Sequence, residues 1–167
     1  MPKIVPGITT EWRRFDDLTV SALYELLRLR QQIFVVEQHS AYPDLDGLDK
    51  SALHLLLAAE GTLAGCLRLL PPADAISPAR IGRVAVAARW RGNGLGRRLM
   101  AEALSFCRDH HAARAIGLSA QLYLVPFYRS FGFGEIGTPY DDFGVPHIDM
   151  RAVAVVPEPG TATCTRR

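Results

Sequence analysis

Between Val20 and Phe34 the apolar residues fall into two interleaved sets, Val20, Leu23, Leu27 and Leu26, Leu29, Ile33, at the three- and four-residue steps of a helix. Asp17 or Thr19 is placed to cap its start. Ahead of it, Thr9 to Phe15 reads as a strand. Behind it, Glu37 to Lys50 turns to Gln, His, Ser, Tyr, Pro, Asp and Gly, the composition of a loop. Ala52 to Ala59 and Leu63 to Leu70 are apolar runs joined by Glu60-Gly61-Thr62, which predicts a hairpin, and Pro71-Pro72 ends it. Ala79 to Ala87 predicts a further strand. Leu95 to Asp109, with Leu99, Met100, Ala103, Leu104, Phe106 and Cys107 on one side, predicts an amphipathic helix. Ala115 to Ser119 is strand-like, Pro126 to Phe131 a short helix whose first turn tolerates the proline, and Phe133 to Gly137 with His147 to Val155 are two last strands. The order βαβββαβαββ implies a mixed α/β sheet wrapped by helices, with no internal repeat.

The 167 residues suit one domain, expected over 1–156, with a polar tail at 157–167 expected to be disordered. With 49% hydrophobic and 22% charged residues a packed core is expected. The net charge of +2 is the balance of 19 basic and 17 acidic side chains spread along the chain, so no global field points to nucleic acid or an anionic membrane. Arg89, Arg91, Arg97, Arg98, Arg108 and Arg114 come without the aromatic interleaving that single-strand binding uses. The apolar run at Leu53 to Ala59 is far short of a membrane span, and the first residues lack the apolar centre of a secretory leader. Cys66, Cys107 and Cys164 show neither metal spacing nor a disulfide framework. A cytoplasmic setting, with no metal, fits these features.

Local chemistry concentrates in Arg91-Gly92-Asn93-Gly94-Leu95-Gly96-Arg97-Arg98, which follows an apolar strand and opens a helix. Unpaired backbone N–H groups and the positive end of the helix dipole meet there, a place that favours phosphate. Glycine keeps side chains out of the way, and Arg91 and Arg97 supply charge-assisted bonds at the rim. The loop has no Lys for a Walker motif, and Arg97 displaces the last glycine of a dinucleotide fingerprint counted from Gly92.

What fits is Arg-x-x-Gly-x-Gly at Arg91, Gly94 and Gly96, and this segment resembles the pyrophosphate loop of the GNAT acetyltransferase superfamily. Phe127-Tyr128-Arg129-Ser130-Phe131-Gly132-Phe133 is similar to the Tyr-x-x-x-Gly-Phe element of the same enzymes. Arg30 to Gln38, Asp44-Leu45-Asp46-Gly47-Leu48-Asp49, His54 and Gly144 to Ile148 resemble the ElaA branch, so the likeness runs from Trp12 to Val153. It implies a mixed, mostly antiparallel sheet flanked by helices, with central strands splayed at an acetyl-CoA site. Backbone groups of the strand holding Val84 and Val86 would bind the pantetheine. Amides of Gly92, Asn93, Gly94, Leu95 and Gly96, beside Arg91 and Arg97, would hold the pyrophosphate. Gln121 stands where many relatives place an Asn toward the pantetheine.

The implied reaction moves an acetyl group to a primary amine on a small molecule or peptide, with Tyr128 as general acid toward the sulfur. Ile81-Gly82-Arg83 lacks the glutamate that many relatives place there, which leaves Glu37, Asp46, Asp49, His54 and His147 as candidates for the base. Asp46 and Asp49 are also read as an acidic rim for a cationic acceptor, against a solvated loop, and Tyr123 and His147 as possible lining of its pocket. The EF-hand reading of Asp44 to Asp49 fails because Gly47 sits at position 4 and Leu55 at position 12. A sensor that binds acetyl-CoA without turnover stays open. So does an acyl-homoserine-lactone-synthase-like acyltransferase, which shares the Phe-x-x-Glu region but fits the glycine loop less well. The resemblance is compatible with a homodimer.

Overall fold

The structure, a computed structural model, describes residues 7–111 and 114–153. The tail read as disordered, together with Cys164, lies outside the described residues. Seven strands form one sheet: β1 (Thr9–Arg14), β2 (Leu53–Ala59), β3 (Thr62–Leu70), β4 (Ala79–Val86), β5 (Ala115–Gln121), β6 (Gly134–Asp142) and β7 (Val145–Val153). Their order is β1-β2-β3-β4-β5-β7-β6. Only β4 and β5 run parallel; the other neighbours are antiparallel. The helices are α1 (Val20–Gln31), α2 (Leu95–His110) and α3 (Val125–Arg129).

α1 starts at Thr19, whose Oγ1 accepts from the Ala22 N–H at 3.1 Å, so of the two expected caps Thr19 is used. The helix does not stop at Phe34 as its periodicity predicts. It widens into a π-turn over Gln32–Glu37, which carries Glu37 and Gln38 to the sheet's middle strands. β6 runs on to Asp142 rather than ending at Gly137, and β7 begins at Val145, two residues before the expected His147, so the two close as a hairpin at Phe143-Gly144. Alternation hides this hairpin, because every β6 residue before Asp142 is exposed. An edge strand with no buried face gives no period-two signal.

The larger core lies between the sheet and α2, where Leu55, Leu57, Leu67, Leu69, Leu99 and Met100 are fully buried. A smaller cluster of Leu26, Ile33, Cys66 and Ala85 joins α1 to the opposite face. Burial of each such large side chain contributes roughly 1.5–3 kcal/mol.

Two features of the sheet shape the site. β4 and β5 pair only at Ala79↔Ile116 and Arg80↔Gly117 and then part. On its other side β4 carries a bulge: Cys66 pairs with Ala85 and Arg68 with Gly82, so Arg83 and Val84 both stand opposite Leu67. Arg83 takes φ +52°, rare for a residue with a side chain. A bulge bends its strand and raises the local twist, which accounts for the separation of β4 from β5 just beyond it.

Candidate active site

The splay opens between Val84 and Val86 on β4 and Ser119 and Gln121 on β5. Both valines are half-buried. At the head of the opening the chain leaves β4 through Ala88–Trp90 and enters the glycine loop. Gly92 and Gly94 both have φ +77°, and a Cβ on either would point into open space. The loop thus needs glycine for its backbone, and the absence of side chains leaves that backbone approachable. Gly94 is the N-cap of α2 and no side chain caps the helix. Leu95 is buried and offers only its main chain. Asn93 ties the loop together, its Nδ2 donating to the carbonyls of Trp90 and Arg91. Gly96 lies inside the first turn, with the Phe127 ring 3.7 Å from where its Cβ would be.

That contact brings α3 beside the loop. Arg97 lies over the rings of Phe127 and Phe131, 5.8 and 5.6 Å from their centres, and donates to Ser130 Oγ at 3.2 Å. Tyr128 is 7% exposed and packs edge-on against Phe127 and Phe133. Burial pushes its phenol up to about 12. Among the described residues nothing hydrogen-bonds its hydroxyl.

Arg91 is not idle at the rim. Its Nε donates to the Val86 carbonyl at 3.0 Å, and its guanidinium forks onto Glu37 at 2.5 and 3.0 Å. Glu37 is therefore an ion-pair partner of a loop arginine. Gln121 donates to Gln38 Oε1 at 3.1 Å, bridging from β5 to the end of the π-turn.

The acidic loop carries no free rim of charge. Asp44, Asp46 and Asp49 are matched by Arg30, Arg68 and Arg83. Asp49 accepts from Arg30 at 2.7 and 3.3 Å and from Arg68 at 3.1 Å. Asp46 takes both ends of Arg68 at 2.7 Å and Arg83 at 3.0 Å. Arg30 also donates to Asp44 at 2.9 Å. Arg83 Nε approaches Asp44 Oδ1 to 2.7 Å without the alignment of a hydrogen bond. Arg30 is 1% and Asp49 8% exposed. The Arg68 hydrogen bond holds Asp46 far below the usual carboxylate range. For Asp49 burial works the other way, but the bonds from Arg30 and Arg68 outweigh it and its carboxyl is also lowered. Three cations facing three anions explain how charge is tolerated here. The same ion pairs hold Arg83 in its unusual backbone conformation at the bulge.

His54 sits beneath this network, 1% exposed, with Nε2 3.0 Å from the Asp49 carbonyl, so that nitrogen carries the proton. Burial lowers its pKa and keeps the ring neutral. The structure places it as a core histidine on β2. His147 on β7 is half-buried, with Nδ1 2.7 Å from the Val145 carbonyl. Tyr123 is 72% exposed. Among the described residues no cluster of His, Cys, Asp and Glu is arranged to hold a metal, and no helix is long and apolar enough to cross a membrane.

A family profile described as "Acetyltransferase (GNAT) domain" matches residues 28–154. The chain belongs to the GNAT acetyltransferase family. Protein ElaA of Escherichia coli is 40% identical over 144 residues, covering 84% of this chain and 94% of that one. The ElaA crystal structure superposes with a TM-score of 0.81 at 38% identity, covering 86% of this chain and 98% of that one. An acyl-CoA N-acyltransferase from Pseudomonas aeruginosa superposes with a TM-score of 0.82 at 37% identity, over 87% and 99% of the two chains. A GNAT acyltransferase role follows from the family, and the mixed sheet with flanking helices is that of these structures.

Sequence reasoning missed three features around the splay. The bulge at Arg83 has no local signal, since nothing in Gly82-Arg83-Val84 demands a left-handed residue. The arginine–aspartate network did leave a trace: Arg68, between Leu67 and Leu69 in an apolar strand, needs buried anions. The third part is a polar chain on β5, β6 and β7, in which Tyr140 hydroxyl meets Ser119 Oγ and donates to Asp149 Oδ1 at 3.0 Å.

Proposed function

We propose that the protein transfers an acetyl group from acetyl-CoA to a primary amine, by direct attack of the amine on the thioester. The observation that carries the reading is the approachable backbone at Gly92 and Gly94, where left-handed turns with nothing around them lead into an uncapped helix start. Such a cradle suits a pyrophosphate, so the residues present fit the cofactor. Main-chain groups of Gly92, Asn93, Gly94, Leu95 and Gly96 would hold the phosphates. Arg97 would stay near its place on the aromatic ledge, and Arg91 would turn from Glu37 toward the added charge. Val84, Val86 and Gln121 line the parted strands, where the pantetheine amides would find partners.

The bound cofactor supplies an activated acyl carbon and a thiol leaving group. Tyr128 supplies a phenol that is protonated at physiological pH, and burial raises its pKa further, to about 12. An ordinary thiol has a pKa near 8.5, so full transfer from a phenol at about 12 runs uphill. Its contribution is a hydrogen bond to the sulfur that strengthens as charge develops there. Of the candidate bases, Glu37 becomes a carboxylate without its present partner once Arg91 moves, and His147 commits only its Nδ1, to the Val145 carbonyl. Asp46, Asp49 and His54 serve the scaffold, since their charge or lone pairs are already used.

The test is calorimetric titration with acetyl-CoA, beside a Gly94→Glu variant that puts a side chain and a negative charge into the cradle. Micromolar binding that the variant loses supports the assignment. No binding by the parent protein overturns it.

A further inference from the structure

Ser119 and Gln121 alternate along β5 with Leu118 and Ala120, which are buried in the main core. They therefore face the other side of the sheet, the side of α1, as the Gln121–Gln38 bond confirms. Ser119 lies two residues beyond the last β4–β5 pair, on the part of β5 that has left β4. It pairs across with Asp149 on β7, and Tyr140 reaches over from β6 to touch both. Ser119 and Tyr140 are both exposed.

The directions of these bonds are fixed by counting hydrogens. Tyr140 has one hydroxyl proton and donates it to Asp149, which as a carboxylate can only accept. The bond between Ser119 and Tyr140 must then run from the serine to the tyrosine oxygen. Ser119 Oγ is left with free lone pairs, exposed beside the splay, at the head of a chain that ends on a carboxylate. None of the arginines that neutralise Asp44, Asp46 and Asp49 touches this carboxylate.

We propose that Ser119, Tyr140 and Asp149 form the proton relay that deprotonates the acceptor's ammonium, the base that the β4 segment Ile81-Gly82-Arg83 does not provide. The proposal rests on the amine-acetylation reading above. One N–H bond of the ammonium breaks and its proton passes to Ser119 Oγ. The serine proton passes to the Tyr140 oxygen, and the tyrosine proton to Asp149 Oδ1. The products are a neutral amine, able to attack, and a protonated Asp149; the hydroxyls end as they began. Other titratable groups around the relay are His147, whose ring stacks on Tyr140 with centres 6.2 Å apart, Arg151 two residues along the same face of β7, and Asp142 on β6. Their charges tune the relay without belonging to the chain of bonds.

The relay is tested with Asp149→Asn, Tyr140→Phe and Ser119→Ala, assayed by thiol release from acetyl-CoA with a primary amine between pH 6.5 and 10. At neutral pH each variant is expected to lose about 100-fold in kcat, with acetyl-CoA affinity by calorimetry within twofold of the parent. The loss should shrink as pH approaches 10, because solvent then supplies the neutral amine. A second readout needs no turnover. In an ultraviolet phenolate titration, the step that Tyr140→Phe removes should lie above that of free tyrosine, first because of burial and then because Asp149 helps to hold that proton, and it should move down in Asp149→Asn. Unchanged kcat at pH 7 in Asp149→Asn overturns the relay, as does a loss that alkaline pH does not relieve. So does transfer of the acid limb's dependence to His147, seen as its disappearance in His147→Gln alone. A parent protein that binds no acetyl-CoA fails at the earlier step and overturns the acetyl-transfer reading itself.

Discussion

Replacing Asp49 by Asn separates a scaffold role for the acidic loop from a substrate role. The carboxylate receives three hydrogen bonds from Arg30 and Arg68, which are 1% and 4% exposed. Asn keeps the size but removes the charge, leaving three guanidinium groups to two carboxylates in a buried cluster, and it turns an N–H₂ toward donors. Breaking a buried ion pair by removing one partner costs about 3–5 kcal/mol. For a domain of this length each kcal/mol lowers Tm by about 2–4 °C, so the expected fall is about 6–20 °C. Circular dichroism melts and urea titration read this directly. The pH dependence carries a sign. The folded Asp49 carboxyl lies below its unfolded value, near 3.9, so on acidification the unfolded chain binds the proton first. The stabilisation is complete above about pH 4 and is lost as pH falls through the folded value. The variant should accordingly lose less stability than the parent across that acid window. A variant that melts within 2 °C of the parent while raising KM for the acceptor would refute this account and restore Asp49 to the acceptor's path.

Three further outcomes are expected. Tyr128→Phe should lower kcat about 100-fold while leaving acetyl-CoA affinity within twofold, because the hydroxyl acts only on developing charge; an unchanged kcat reduces Tyr128 to packing. Gly65→Ala puts a Cβ 2.9 Å from the Ala85 carbonyl and 3.2 Å from Leu99 Cδ1, so it should cost about 1–3 kcal/mol in urea unfolding. Gly65 pairs with Val86, and acetyl-CoA binding should weaken with it. Thr19→Ala removes the α1 cap and should cost about 1 kcal/mol with no change in kcat, a result checked by the same melts.

Most elements were legible because their burial is periodic. α2 shows one continuous apolar face, and the β2–β3 hairpin is two apolar runs around a glycine turn. The glycine loop and the Tyr128 segment were legible through their spacing. What escaped was chemistry made by register rather than by neighbours in sequence. Tyr140 and Asp149 share the β6–β7 hairpin, but Ser119 is 21 residues before Tyr140 and meets them only because β7 inserts between β5 and β6. Tyr140 in particular lies on an edge strand that the pattern truncates at Gly137. The acidic loop misled for the opposite reason. Asp46 and Asp49 look available in sequence, and their arginine partners come from α1, β3 and β4, three elements with no local relation to the loop.

The arginines divide the molecule by function. Arg30, Arg68 and Arg83 project from α1, β3 and β4 into one largely buried cluster that opens to solvent at Asp46, and Arg83 there fixes the bulge that turns β4 away from β5. The opening thus rests on ion pairs made within the protein itself. Arg91 and Arg97 stand at the other end of β4, more exposed and held by partners they can leave: Glu37 at the surface, and a serine beside aromatic rings. An exposed ion pair is worth about 1 kcal/mol or less, small beside what a pyrophosphate offers an arginine at a helix start. The buried set can therefore stay fixed while the loop set is exchanged. If the loop takes the pyrophosphate proposed above, the arginines that shape the splay are separate from those that would hold the phosphates.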